Sequence, residues 1–197
     1  MVHVCTINSS TPYLYKMMIK LRFTTKELAL IVVFSSLGAV LSVPVGHIGN
    51  YLKTIPVLPF GIGQILSGIH IILLTLITLN IKKPGAATMT ATIKGLVEAV
   101  LFSYHGISVV FMSALQGLIL DVVIYLLGKR DLALYLGCGI ASASNVAFLQ
   151  FVLLLSFPTS VFAFMYLLAF VSGAVFGGYG GVLLYKMVGI RIENVNL

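Results

Sequence analysis

Apolar residues fall in long blocks separated by short polar connections. The first block runs from Glu27 to about Val43 and stops at Pro44 and Gly46. A more polar stretch follows, with His47, Gly49, Asn50, Lys53, Pro56 and Pro59, and it predicts an irregular connection. The second block covers about Phe60 to Ile81 and ends in the turn Lys82-Lys83-Pro84-Gly85. The third covers about Ala86 to Ser103, before Tyr104-His105-Gly106, and the fourth covers Ile107 to Leu127, before Gly128-Lys129-Arg130-Asp131. From Leu132 to Tyr185 no charged residue occurs. One helix over that stretch would be about 80 Å long at about 1.5 Å per residue. It therefore folds back, with Phe157-Pro158-Thr159 as the break. Each block is long enough to cross a hydrocarbon core of about 30 Å as a helix. The blocks lack the alternation of barrel strands. The pattern predicts an all-α integral membrane protein, a bundle of six transmembrane helices.

Composition agrees and narrows the picture. Of 197 residues, 59% are hydrophobic and 9% charged, and the mean hydropathy is +1.11. Twelve basic and five acidic side chains cannot coat a water-soluble globule of this size. The net charge of +7 could suggest nucleic acid, but the cations are placed otherwise. Lys16, Lys20, Arg22 and Lys26 precede the first block, Lys82 and Lys83 share one connection, Lys129 and Arg130 another, and Lys186 and Arg191 lie near the end. Only Lys53 and Lys94 fall elsewhere. Basic clusters in alternate connections follow the positive-inside rule, which puts both termini in the cytoplasm of a plasma-membrane protein and argues against a nucleic-acid partner.

Residues 1–22 predict a poorly ordered extension, with Met1 or Met17/Met18 as alternative starts. Residues 23–190 form a single membrane domain and 191–197 a cytoplasmic tail. Cys5 and Cys138 make no disulfide framework and no zinc spacing, and no phosphate-binding GxxxxGK[ST] loop occurs. Ser67 and His70 share a helix face, but no nucleophile elbow surrounds the serine and no carboxylate orients the histidine, so no enzyme is predicted. No cofactor motif is present, and scattered acids do not make a channel's charge rings.

Polar side chains inside apolar blocks carry the candidate chemistry, because burying an ionisable group in a membrane costs about 2.5–3.5 kcal/mol on insertion scales. Lys94 and Glu98 share one helix face. They form either a self-neutralising ion pair or a site at which Glu98 meets a cationic or hydrogen-bonding ligand. Asp121 shares a stripe with Ser113 and Gly117 and predicts a structural role. Gln116 could bond a ring nitrogen or amino group, or a neighbouring helix. His47, His70 and His105 are metal-ligand types, but they form no HxxxH pair and have no acid beside them. His3 could contribute to an amino-terminal metal chelate. Small residues at helical spacing, Ser35, Ala39 and Ser42 in the first block and Gly173, Gly177 and Gly181 in the last, permit close helix approach. The glycines predict packing within the bundle. The first-block face predicts either the same or docking of another subunit.

At His47-Ile48-Gly49-Asn50, Lys83-Pro84-Gly85-Ala86-Ala87, Leu96-Val97-Glu98 and Gln116-Gly117 with Asp121, the chain resembles the substrate-binding S components of energy-coupling factor (ECF) transporters. Within them it is similar to the branch associated with hydroxymethylpyrimidine and thiamine uptake, also described as cobalt permease-like. The resemblance implies a substrate-capture subunit for a vitamin or vitamin precursor, partnered by a membrane coupling subunit and two ATPase subunits. It implies ligand contacts from Glu98, Gln116, Asn50, His70, His47 and Tyr104, with Phe60 and Tyr51 as further stacking surfaces. It implies coupling-subunit docking through Ser35, Ala39 and Ser42. The alternatives are a cobalt or nickel uptake subunit and a stand-alone secondary transporter with Lys94 and Glu98 as its proton site.

Overall fold

The computed structural model describes residues 23–53, 55, 62–102, 106–128, 131–152, 154 and 157–188. The expectations placed on the extension 1–22, Phe60, Tyr104, His105, Lys129, Arg130 and the tail 191–197 lie outside the described residues. Among the described residues every regular element is helical.

Helix α1 spans Thr25–Lys53. It opens on a reciprocal cap: Glu27 accepts the Thr24 N–H at 2.7 Å, and the Glu27 N–H donates to the Thr24 hydroxyl at 3.3 Å. The sequence predicts a stop at Pro44, and here the structure differs. α1 passes through Pro44 and carries His47, Gly49 and Asn50 on its last turns rather than in an irregular loop. Proline removes one intrahelical bond. In an apolar surrounding no water competes for the remaining ones, so the helix continues.

The second membrane helix has two forms. Ile62–Ile71 winds as a 3-10 helix and continues as α2, Ile72–Ile81. The tighter winding rises about 2.0 Å per residue, so the whole reaches about 35 Å, longer than an α-helix of equal residue count. Lys82 (φ 52°) and Gly85 (φ 86°) turn the chain. Lys83 reaches back to Glu27 at 2.7 Å, tying this turn to the start of α1. Helix α3 is Ala86–Phe102, α4 is Ser108–Leu127 and α5 is Asp131–Phe151. The break at 157–159 is where the sequence predicts it, with Pro158 preceding α6, Thr159–Ser172. The chain then passes through a π-helical stretch, Gly173–Gly180, into α7, Gly181–Val188. Five helices among the described residues are long and apolar enough to cross a membrane. The remaining one, α3, has 17 residues and bears Lys94 and Glu98.

Neighbouring helices close a ring: the second membrane helix, α1, α3, α4, α5, the last helix, and back to the second. Glycine sets the closest approaches. A Cβ at Gly117 would stand 2.6 Å from the Ala87 carbonyl oxygen, and one at Gly181 would stand 2.7 Å from the Thr75 Cβ. The glycine stripe of the last helix therefore packs within the bundle. Two apolar cores fill the end of the bundle nearer the termini. One contains Ile71, Leu74, Ala91, Leu120 and Cys138. The other contains Ile31, Phe34, Ile77 and Ala86. Exposed Val100, Phe111, Leu118, Leu126 and Leu167 face outward, as a lipid-facing surface requires.

The face of α1 expected to dock another subunit is turned inward. Ser35, Ala39 and Ser42 are all buried. Ser35 donates to the Ile31 carbonyl at 2.6 Å and lies 2.9 Å from the Thr90 carbonyl. Small size there serves the approach of α1 to α3. The outward face carries Val33, Leu37, Val40 and Leu41.

Candidate functional site

Between these two cores and a third, Val146, Phe162, Met165 and Ala169, at the far end, polar side chains from all six membrane helices form a layer several turns deep. Helix register fixes the level. Ser35 lies opposite Thr90, and Gly38 lies against the Lys94 stem, so the parallel helices α1 and α3 bring Ser42 level with Glu98. Gly95 meets Ser113 and Gly117 meets Ala91, which sets Gln116 within a turn of Lys94. On the second membrane helix, His70 Nδ1 is 2.9 Å from the Ser42 hydroxyl. One turn further, Ser67 and Ser142 are 2.6 Å apart. Ser172 of α6 accepts the Gly68 N–H at 3.0 Å and donates to the Ile65 carbonyl.

The proton count defines what these groups can still do. Ser42 has one hydroxyl proton and directs it to the Gly38 carbonyl at 2.9 Å. In the tautomer that matches this, His70 Nδ1–H donates to Ser42 and Nε2 keeps its lone pair; the other tautomer accepts the Ser42 proton and leaves Nε2–H as a donor. Ser67 likewise donates to the Gln64 carbonyl at 2.6 Å, so Ser142 donates to Ser67. Lys94, only 4% exposed, donates to Glu98 Oε2 at 2.8 Å. An ammonium has three protons. The other two have no acceptor among the described residues, and Glu98 Oε1 has no donor there. Gln116 is 5% exposed and its amide makes no hydrogen bond among the described residues. Among the described residues the buried side-chain polar atom without a partner is Asn80 Oδ1, so the free valences of this layer keep some accessible surface and are open to a partner from outside the chain. The layer thus offers donors (Lys94, the Gln116 NH2) beside acceptors (Glu98, His70 Nε2 in the first tautomer, the Gln116 oxygen).

Of the residues predicted to bind substrate, His70 and Glu98 stand at the level of Ser42, and Gln116 lies lower, within a turn of Lys94. His47 and Asn50 stand above them. They lie on the exposed last turns of α1, five and eight residues beyond Ser42, or about 8 and 12 Å along the axis. Ser42, expected on a docking face, belongs to the layer instead. Ser142 and Ser172 went unpredicted: an uncharged serine in a long apolar run looks like packing, and only the fold brings them opposite Ser67 and Gly68. Asp121 is structural, accepting the Thr88 N–H at 2.8 Å and its hydroxyl at 2.6 Å at the start of α3. Among the described residues no group of three His, Cys, Asp or Glu side chains could hold a metal ion.

The bundle is that of a polytopic membrane protein with polar groups among its helices, and its relatives give that class a family. The family model for the permease component of the ABC-type cobalt transport system matches residues 26–149, and the chain belongs to that family. The fold is similar to the crystal structure of an S-component of an ECF transporter, with TM-score 0.77 and 25% identity over 86% of this chain and 88% of that one. No curated protein matches. The protein is a multi-pass protein of the plasma membrane with the fold of an ECF S component, a transport part rather than an enzyme.

Proposed function

We propose that this protein is the substrate-capture subunit of an ECF transporter and binds a vitamin or vitamin precursor of the thiamine or hydroxymethylpyrimidine type. It delivers the ligand in complex with a coupling subunit and two ATPase subunits. The observation that carries the reading is the layer of unused valences around Glu98, Gln116 and His70. An aminopyrimidine presents an amino donor beside ring-nitrogen acceptors. Glu98 Oε1 accepts from the amino group, and the Gln116 amide matches an adjacent donor and acceptor. His47 and Asn50 stand at the entrance rather than at the ring.

The family's description favours a second reading, uptake of cobalt or nickel. The layer argues against it. His70 and Glu98 are its only metal-ligand types among the described residues, and the Lys94 ammonium is paired with one and within electrostatic reach of the other. Transition ions take four to six ligands and are repelled by a neighbouring cation. A stand-alone secondary transporter would work without ATPase partners and would lose uptake with an ionophore.

Titration of the purified protein with hydroxymethylpyrimidine, thiamine and Co²⁺ tests the assignment. Glu98→Gln keeps the shape and removes the charge, and it should weaken binding of the aminopyrimidines by about 2–5 kcal/mol, roughly 30- to 5,000-fold. Binding of Co²⁺ alone would establish the second reading. If Lys94→Met combined with Glu98→Gln binds as tightly as the parent, the pair is structural and Glu98 leaves the site.

A further inference from the structure

The acids of the chain are few, and their placement has a consequence for charge. Of the five, Glu27 pairs with Lys83, Asp121 holds the start of α3, and Asp131 lies 3.7 Å from Lys186. All three are at the end of the bundle nearer the termini. Glu193 lies outside the described residues. Within the polar layer Glu98 is therefore the one anion among the described residues, and Lys94 already neutralises it at 2.8 Å. α1 supplies only Ser35, Gly38 and Ser42 toward this pair, α4 supplies Ser113 and Gln116, and the second membrane helix supplies His70, whose Nδ1 is bonded to Ser42. None of these is an anion. The Lys94 stem lies against the Gly38 backbone, where a Cβ would come within 3.1 Å of its Cδ.

We infer that Lys94 sets the charge specificity of the site: the Lys94–Glu98 pair makes the layer neutral, so an uncharged ligand binds in preference to a cation of the same shape. This rests on the ligand class proposed above. An incoming cation would meet a buried ammonium with no second carboxylate to balance it, and a buried unpaired charge is strongly disfavoured. An uncharged ligand meets no such opposition. Its donor reaches Glu98 Oε1, and its neighbouring acceptor takes one of the two spare Lys94 protons. The ion pair then acts as a matched donor and acceptor for the amino group and ring nitrogen of an aminopyrimidine.

Thiamine and its uncharged isostere 3-deazathiamine share shape and pyrimidine ring and differ in charge, so the ratio of their dissociation constants is the readout. The parent protein should bind the uncharged compound more tightly, because thiamine adds a positive charge that no second carboxylate in the layer balances. Lys94→Met leaves a net negative layer and should narrow or invert the ratio. Glu98→Gln leaves a net positive layer and should widen it, even though both compounds bind more weakly. Opposite movements cannot come from misfolding, and if Lys94→Met does not elute as a monodisperse protein, the widening in Glu98→Gln decides alone. A ratio near one in the parent, or one unmoved by either variant, overturns the inference while leaving the ligand class standing. Failure of the parent to bind either compound overturns the ligand class, and the inference with it.

Discussion

Asp121 shows how one side chain can settle a local structure. The first turn of any helix has N–H groups without intrahelical acceptors, and in a membrane no water supplies them. α4 reaches across to meet that need in α3, one Asp121 oxygen accepting both the N–H and the hydroxyl of Thr88. Asp121→Ala strands both donors and should lower stability by about 1–3 kcal/mol, measured as a fall in the melting temperature of the purified protein. Asp121→Asn keeps an acceptor and should lose less. Neither should alter ligand affinity beyond the stability change, because Asp121 lies below the polar layer. Lys94, Glu98 and Gln116 were legible in the sequence for the same physical reason: ionisable and amide groups in apolar runs are costly and therefore conspicuous. Whether Lys94 and Glu98 meet each other or a ligand was not legible, because helical spacing puts them on one face without saying what stands opposite. That His47 and Asn50 ride on a helix rather than an irregular connection was not legible, because their setting depends on where α1 ends.

At the scale of elements, six helices and their connections were readable from apolar length and from proline and glycine, and the break at Pro158 falls where predicted. Departures from α geometry were not readable. The 3-10 turns of Ile62–Ile71 depend on Ser172 for part of their backbone bonding, and the π-helical stretch is supported by the Thr75 hydroxyl donating to the Gly177 carbonyl at 2.8 Å. Both are contacts between residues about a hundred positions apart, invisible to local pattern. The orientation of α1 was equally hidden, since its periodicity marks a face of small residues without saying whether that face turns in or out. Ala39 is fully buried, so Ala39→Leu should overpack the α1 contact and reduce melting temperature and ligand binding together, by about 1–3 kcal/mol. We propose docking of the coupling subunit on the opposite face. Leu37→Trp should then leave the isolated protein stable and ligand-binding while weakening its co-purification with the coupling subunit. Weak complex formation in Ala39→Leu with unchanged stability and ligand binding would return the docking surface to the small-residue face.

The whole molecule has two unlike ends, and the difference bears on how it sits in the membrane. At the end nearer the termini lie two of the three apolar cores, the Glu27–Lys83 pair and the exposed Lys186 beside Asp131. At the other end, α1 rises past Ser42 to His47, Ile48 and Tyr51, and the polar layer lies nearer to this side. Lysine and arginine resist translocation, so the end richer in them is expected in the cytoplasm. That expectation also puts the polar layer on the side from which an importer takes its ligand. Single cysteines introduced in a background of Cys5→Ser and Cys138→Ser would decide it. Ile48→Cys, on an exposed turn of α1, should react with a membrane-impermeant maleimide on intact cells. Lys186→Cys, also exposed, should react only after the membrane is permeabilised. The reverse pattern would put the polar layer on the cytoplasmic side and would be incompatible with ligand capture from outside. Labelling of both positions on intact cells would mean that the helices do not cross in the even number that brings both termini to one face.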